Sequence, residues 1–135
     1  MNQELIKVKD VMAQKWVMLD GLKTVSEGLG VLREHHAEAL IISKRHEHDE
    51  YGLVLLSDIG KKVMARDKAP DRVNLYEIMS KPVLAVHPDM DIRYCARLFE
   101  QFGINQAPVI ENHEVIGLIS YTEMVLQHSL HNQTL

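Results

Sequence analysis

The sequence predicts a mixed α/β (α+β) fold: two β-α-β-β-α repeats packed with pseudo-twofold symmetry. Three observations predict it. First, the chain is written twice. "VKDVM" at 8–12 resembles "LYEIM" at 75–79, and "TVSEGLGVLREHHAEALIIS" from Thr24 resembles "DIRYCARLFEQFGINQAPVI" from Asp91, each at a shift of 67 residues. Second, within each copy short apolar runs alternate with a helix-period pattern, as strands and helices do in layered α/β folds. Third, a copy of about 60 residues buries surface poorly by itself, so two copies are expected to pack sheet to sheet around a shared core, leaving a cleft between them.

In copy one, residues 16–19 read as a short strand. Thr24 is a suitable N-cap for a helix over 24–35, with Val25, Leu29 and Leu32 at helical spacing. Residues 39–43 and 52–56 read as buried strands. Leu55 has no capping group, so Ser57 or Asp58 is expected to cap the helix that runs on to about Ala65. Copy two repeats the order at 83–86, 91–102, 106–110, 114–120 and 122 to about 130. Gly52 matches Gly117 at a shift of 65, so copy one carries two extra residues in the "KRHEHDE" connection. Residues 66–74, "RDKAPDRVN", hold charges and Pro70 without apolar periodicity and read as a linker. The repeats are thus expected at 5–65 and 75–130, and the polar tail from His128 is expected to fray.

Composition narrows the function. Of 135 residues, 46% are apolar and 25% charged, the mix of an ordinary folded protein. The net charge of −4 argues against a general nucleic-acid binder, which needs a basic face. The single cysteine, Cys95, rules out an internal disulfide, fits a reducing cytoplasm and falls in an apolar helical pattern, so it reads as core. No apolar run approaches the ~20 residues of a membrane span, and the N-terminus lacks an apolar signal core. Among the eight histidines, His35 and His36 end a helix, and His46 and His48 alternate on a hairpin tip without a third ligand, so no metal is expected. No Ser-His-Asp order, nucleophile elbow or phosphate loop is present, and the chain is not expected to be an enzyme.

Two corners remain: "GLVLLSD" from Gly52 and "GLISYTE" from Gly117 each leave an apolar strand and present hydroxyl and carboxylate groups at a helix start. An ionised Asp is acceptor-only, and its two oxygens suit the neighbouring hydroxyls of a ribose. A helix start offers free N–H groups and a positive dipole end to phosphate. An apolar strand alongside supplies a slot for adenine. For the second corner the plain alternative is a capping box, with Ser120 at N-cap and Glu123 at N3.

The helical lead "VKDVM", the "QFGINQAPVI" block with Pro108 and the paired corners together resemble a tandem pair of cystathionine-β-synthase (CBS) domains, a Bateman module, over about residues 5–127. The resemblance implies a non-catalytic module that binds adenosine-containing ligands (AMP, ADP, ATP, sometimes S-adenosylmethionine) in the cleft between CBS repeats. It also implies a homodimer that signals to a separate effector protein, with no nucleic acid or membrane partner. Carried over, one site uses Ser57 and Asp58 with Lys81, Pro82 and Val83. The other uses Ser120, Thr122 and Glu123 with Gln14, Lys15 and Trp16. Ala39 and Leu40, or Gln106 and Ala107, lie near the base. Trp16 reads as core or as a partial plug of the second site, ahead of stacking on a base and lining that site. Two departures stand out: Leu55 replaces the family's hydroxyl in copy one, and Glu123 replaces its Asp in copy two. Lys61 and Lys62 offer charge in place of the lost hydroxyl. The departures also leave open a second reading, a dimeric protein-interaction scaffold whose nucleotide sites are degenerate.

Overall fold

The computed structural model describes residues 5–82 and 84–133, the backbone alone from residue 128. The chain divides into two compact units, Trp16–Pro82 and Met1–Lys15 together with Val83–Leu135. The units are cut differently from the sequence copies, because each takes its leading segment from the other copy.

The unit Trp16–Pro82 holds a three-stranded sheet in the order β1-β2-β3, from Met18–Leu19, Ala39–Ile42 and Gly52–Leu55. Strand β1 runs parallel to β2 and β3 antiparallel to it, with Ala39 opposite Leu55 and Ile42 opposite Gly52. Strand β2 is buried along its whole length, which is why it reads as an unbroken apolar run. Helix α2 (Val25–His35) starts where the Thr24 hydroxyl accepts the Glu27 N–H. It lays Val25, Gly28 and Leu32 on the core. Helix α3 (Leu56–Lys62) follows β3 directly, and α4 (Leu75–Ile78) brings Leu75 and Ile78 onto the same core. Residues 66–74 do more than link: they include 3-10 turns, and Val73 is buried and accepts the Val25 N–H.

The other unit holds α1 (Val8–Val11), α5 (Ile92–Phe102), α6 (Tyr121–Gln133) and an antiparallel pair, β4 (Gln106–Glu111) and β5 (Glu114–Ser120). Its core gathers around Phe99, Val109 and Ile119, with the Tyr121 ring edge-on to Phe99 at 5.4 Å. The strand expected at 83–86 narrows to one parallel bridge, Val86 with Val109, and Val83 lies outside the described residues. The backbone from 128 is helical to Gln133, so the polar tail extends α6 where fraying was expected.

The exchanged leads are held in the same way in both units. After α1, Ala13 and Leu118 exchange both backbone hydrogen bonds at 2.8 and 3.0 Å, and after α4 so do Ser80 and Leu53. The last residue of each lead, Met12 or Met79, lies over the glycine of the facing strand, Gly117 or Gly52. The methionine and the glycine of the repeated motif are therefore one packing feature, seen twice.

Candidate functional site

The first corner is built by the step from β3 into α3. The helix begins at Leu56, with Leu55 in the N-cap position; of the two residues expected to cap it, Asp58 does so, from inside the first turn. Asp58 sits at N3 and its Oδ2 accepts the Leu55 N–H at 2.9 Å, the carboxylate half of a capping box. This bond satisfies the Leu55 N–H, while Leu55 offers no side-chain acceptor to the first amides of α3. The Asp58 side chain is only 18% exposed, and its Oδ1 faces Lys62 Nζ at 3.8 Å. Lys62 in turn donates to the carbonyl of Ile78 at the end of α4, at 3.0 Å. Ser57 is exposed beside this group.

The second corner repeats the pattern from β5 into α6. Glu123 accepts the Ser120 N–H at 3.0 Å and also the Ser120 hydroxyl in a short contact. The extra methylene of Glu123 is what lets its carboxylate reach back to both groups of Ser120. Thr122 is exposed. A carboxylate at N3 also caps α1, where Asp10 accepts from Lys7, and α4, where Glu77 accepts from Asn74. Those two are exposed, whereas the corner bonds are half-buried beside apolar strands.

The strands bring some of the expected residues to the corners and take others away. Ala39 pairs with Leu55, and Gln106 pairs with Ser120, so both stand next to their corner. Leu40 and Ala107 are wholly buried and belong to the cores. Lys81 is tied to the other end of β3 from Asp58: its ammonium donates to Asp49 at 3.1 Å and to the Glu50 carbonyl at 2.6 Å. The Arg45 amide, the Lys81 ammonium and the Glu50 amide together hold the Asp49 carboxyl well below the usual carboxylate range. Pro82 follows, half-buried. Gln14 and Lys15 are exposed, and from Ala13 their chain runs antiparallel to β5, away from Ser120. Trp16 is half-buried and belongs to the unit Trp16–Pro82.

Away from the corners, burial pushes the Cys95 thiol up to about 11, in keeping with a core role. Among the described residues, no group of three His, Cys, Asp or Glu could hold a metal, and no helix is long and apolar enough to cross a membrane. A pocket lined by Asp20, Leu22, Arg45 and Tyr76 was missed by sequence reasoning. Its one signal was Leu22, an apolar residue in a turn.

Residues 75–127 match the family model for the CBS domain. A hexameric CBS-CP12 protein from bloom-forming cyanobacteria is 35% identical, with a TM-score of 0.88, over 93% of this chain and 69% of its own. An uncharacterized protein of Methanopyrus kandleri is 31% identical over 96 residues, which is 70% of this chain and 48% of the relative. A CBS domain pair solved with 5′-methylthioadenosine and S-adenosyl-L-methionine shares the fold at 21% identity, with a TM-score of 0.81 over 95% of this chain and 99% of its own. The chain spans about half the length of the curated relatives it matches.

Proposed function

The chain belongs to the CBS-domain family as a CBS domain pair, and on that premise we propose that it is a regulatory module that binds an adenosine nucleotide or similar adenosyl ligand at the Asp58 corner. The observation that carries this reading is the Asp58 carboxylate, mostly buried at a helix start beside an apolar strand, with one oxygen facing a cation at 3.8 Å. That separation is an ion pair rather than a hydrogen bond. A ribose hydroxyl can take its place on Oδ1 at small cost, because partly exposed pairs contribute about 0–1 kcal/mol. Lys62 and the first N–H groups of α3 then face the phosphates. The solved pair that holds adenosyl ligands lends the ligand class. Binding is communicated to a separate effector protein by a homodimer of the module. A hexameric relative supports self-association in general.

The test is thermal melting with AMP, ADP, ATP and S-adenosylmethionine. A ligand at ~100 times its dissociation constant stabilises the fold by about 2.7 kcal/mol. Asp58→Asn is expected to abolish the shift. No shift with any of the four ligands sinks the reading.

A second reading, an interaction scaffold with degenerate sites, draws on specific contacts. Ser120 and Glu123 satisfy each other, and Lys81 is spent on Asp49 and Glu50. Under it the protein self-associates and binds its partner with no response to nucleotide.

A further inference from the structure

A pocket of about 240 Å³ opens at the end of the three-stranded sheet opposite the Asp58 corner. Its floor is Ile42 and Met79, its apolar walls are Leu22 and Tyr76, and Asp20, Lys44 and Arg45 bring charge to it. Leu22 and Tyr76 are 73% and 43% exposed, a large apolar surface to leave facing water at a turn. The repeat supplies an internal comparison. By the shift of 67 residues, Leu22 and Tyr76 correspond to Asp89 and Lys9, and there the two side chains form an ion pair at 3.1 Å. Copy one has an open apolar pair at the positions where copy two has a polar contact. Copy one also carries the extra residues of the "KRHEHDE" connection, from which Arg45 comes.

The backbone that carries the walls is pinned. The Gly21 carbonyl accepts the Tyr76 N–H at 3.0 Å, and a β-carbon on Gly21 would meet Tyr76 Cβ at 3.1 Å and Ile42 Cγ2 at 3.3 Å. Asp20 Oδ1 accepts the Leu22 N–H at 2.8 Å. The Arg45 amide donates to Asp49, which Lys81 anchors in turn. A site whose backbone is already ordered loses only side-chain freedom on binding. The volume falls below the ~300–1,000 Å³ of drug-sized sites, which restricts the occupant to a small metabolite.

We propose that this pocket binds a small carboxylate with a compact apolar body, of about amino-acid size. The body covers Leu22, Ile42, Tyr76 and Met79, and the carboxylate takes the paired N–H fork of Arg45. Asp20 is placed to accept an ammonium group, where the ligand has one. The site is independent of the Asp58 corner, so its test stands whether or not nucleotide binds.

The experiment is a titration followed through backbone amide resonances of the full chain. The probes are leucine, phenylalanine and their deaminated counterparts 4-methylpentanoate and 3-phenylpropionate. Saturable shifts confined to Gly21, Leu22 and Ser43–Arg45 are expected, weakened at least tenfold in Arg45→Ala and unchanged in Asp58→Asn. Tighter binding of the amino acids, lost in Asp20→Asn, assigns the ammonium contact to Asp20. Equal binding of both pairs leaves the carboxylate contact alone as the recognition. Arg45 is on an exposed connection, so its removal leaves the fold intact. Absence of saturable shifts with all four probes, or shifts that persist at full strength in Arg45→Ala, overturns the proposal.

Discussion

The sulfur of Met12 stands 2.5 Å from where a β-carbon on Gly117 would be, and the Ala13 carbonyl oxygen is 3.1 Å from the same point. At Gly52 the matching contacts are Met79 Sδ, also at 2.5 Å, and Ile42 Cβ at 3.1 Å, but the methionine Cγ is 3.4 Å away there and only 2.9 Å away at Gly117. Both alanine variants overpack the lead against the strand, which typically costs ~1–3 kcal/mol. The Ala13 carbonyl, held by the Ala13–Leu118 pair, and Ile42 Cβ, fixed by its strand, are equally immovable, so the depth of the methionine overlap separates the two sites. Gly117→Ala is therefore expected to destabilise more than Gly52→Ala in urea unfolding. The double variant Gly117→Ala with Met12→Ala should recover part of the loss. Equal losses at the two glycines would show that the closer approach of Met12 Cγ plays no part.

His36 ends α2 in the left-handed region, at φ 51°, and its counterpart at the end of α5 is Gly103, at φ 66°. A side chain there costs roughly 1–2 kcal/mol of backbone strain. Glycine removes that strain but loses some of the gain to its freer unfolded state, ~0.5–1 kcal/mol. His36→Gly is expected to stabilise the protein by about 0.5–1 kcal/mol, raising Tm by a few degrees. The reverse change, Gly103→His, should lower it.

The architecture was legible because duplication reports on itself: the Thr24 cap, the β2 run and the α5 period each appear twice, and each predicted element has a counterpart except the strand at 83–86. Among the described residues of that stretch only Val86 forms a ladder bond, with Val109, so a short apolar run was too little to measure its length. The exchange of leads was not legible. Nothing local in "VKDVM" says which glycine Met12 will cover, since both copies carry the same pair. The corner was half legible. Duplication pointed to Asp58 as a cap, but not to the place it caps from, an N3 side chain reaching back to Leu55. The end of Lys81 was lost for a different reason: its partner, Asp49, lies in the "KRHEHDE" connection, whose two extra residues break the correspondence with copy two.

Burial raises the Cys95 thiol from about 9 to about 11. Between those values the native thiol stays protonated while the unfolded one ionises, so the unfolded state binds fewer protons and stability falls as pH rises. The contribution is whole below pH ~9 and is lost on the way to pH ~11. Urea unfolding followed from pH 8 to 11 should show this decline in the native chain and a shallower one in Cys95→Ala. Thiol labelling should be slow in the folded protein and fast once it is unfolded. Prompt labelling of the native chain at neutral pH would contradict the buried, protonated thiol.

Asp58 has two separable duties, and two substitutions part them. Its Oδ2 satisfies the Leu55 N–H, which an asparagine oxygen also can do, while its charge faces Lys62. Asp58→Asn should therefore hold the stability of the free protein within about 0.5–1 kcal/mol, since the ion pair is partly exposed. Asp58→Ala removes the cap as well and should cost a further ~0.5–2 kcal/mol. If the corner holds a ribose, both variants lose the stabilisation by nucleotide, because a neutral amide accepts through one oxygen only and offers N–H groups where the second hydroxyl would donate. Lys62→Met should lower affinity for ATP more than for adenosine, since it removes a charge directed at phosphate and leaves the ribose acceptor in place. Melting curves with adenosine, AMP and ATP on these three variants distinguish the duties. Retention of the full nucleotide shift in Asp58→Asn would leave the carboxylate as a helix cap alone and shift the function to protein contacts.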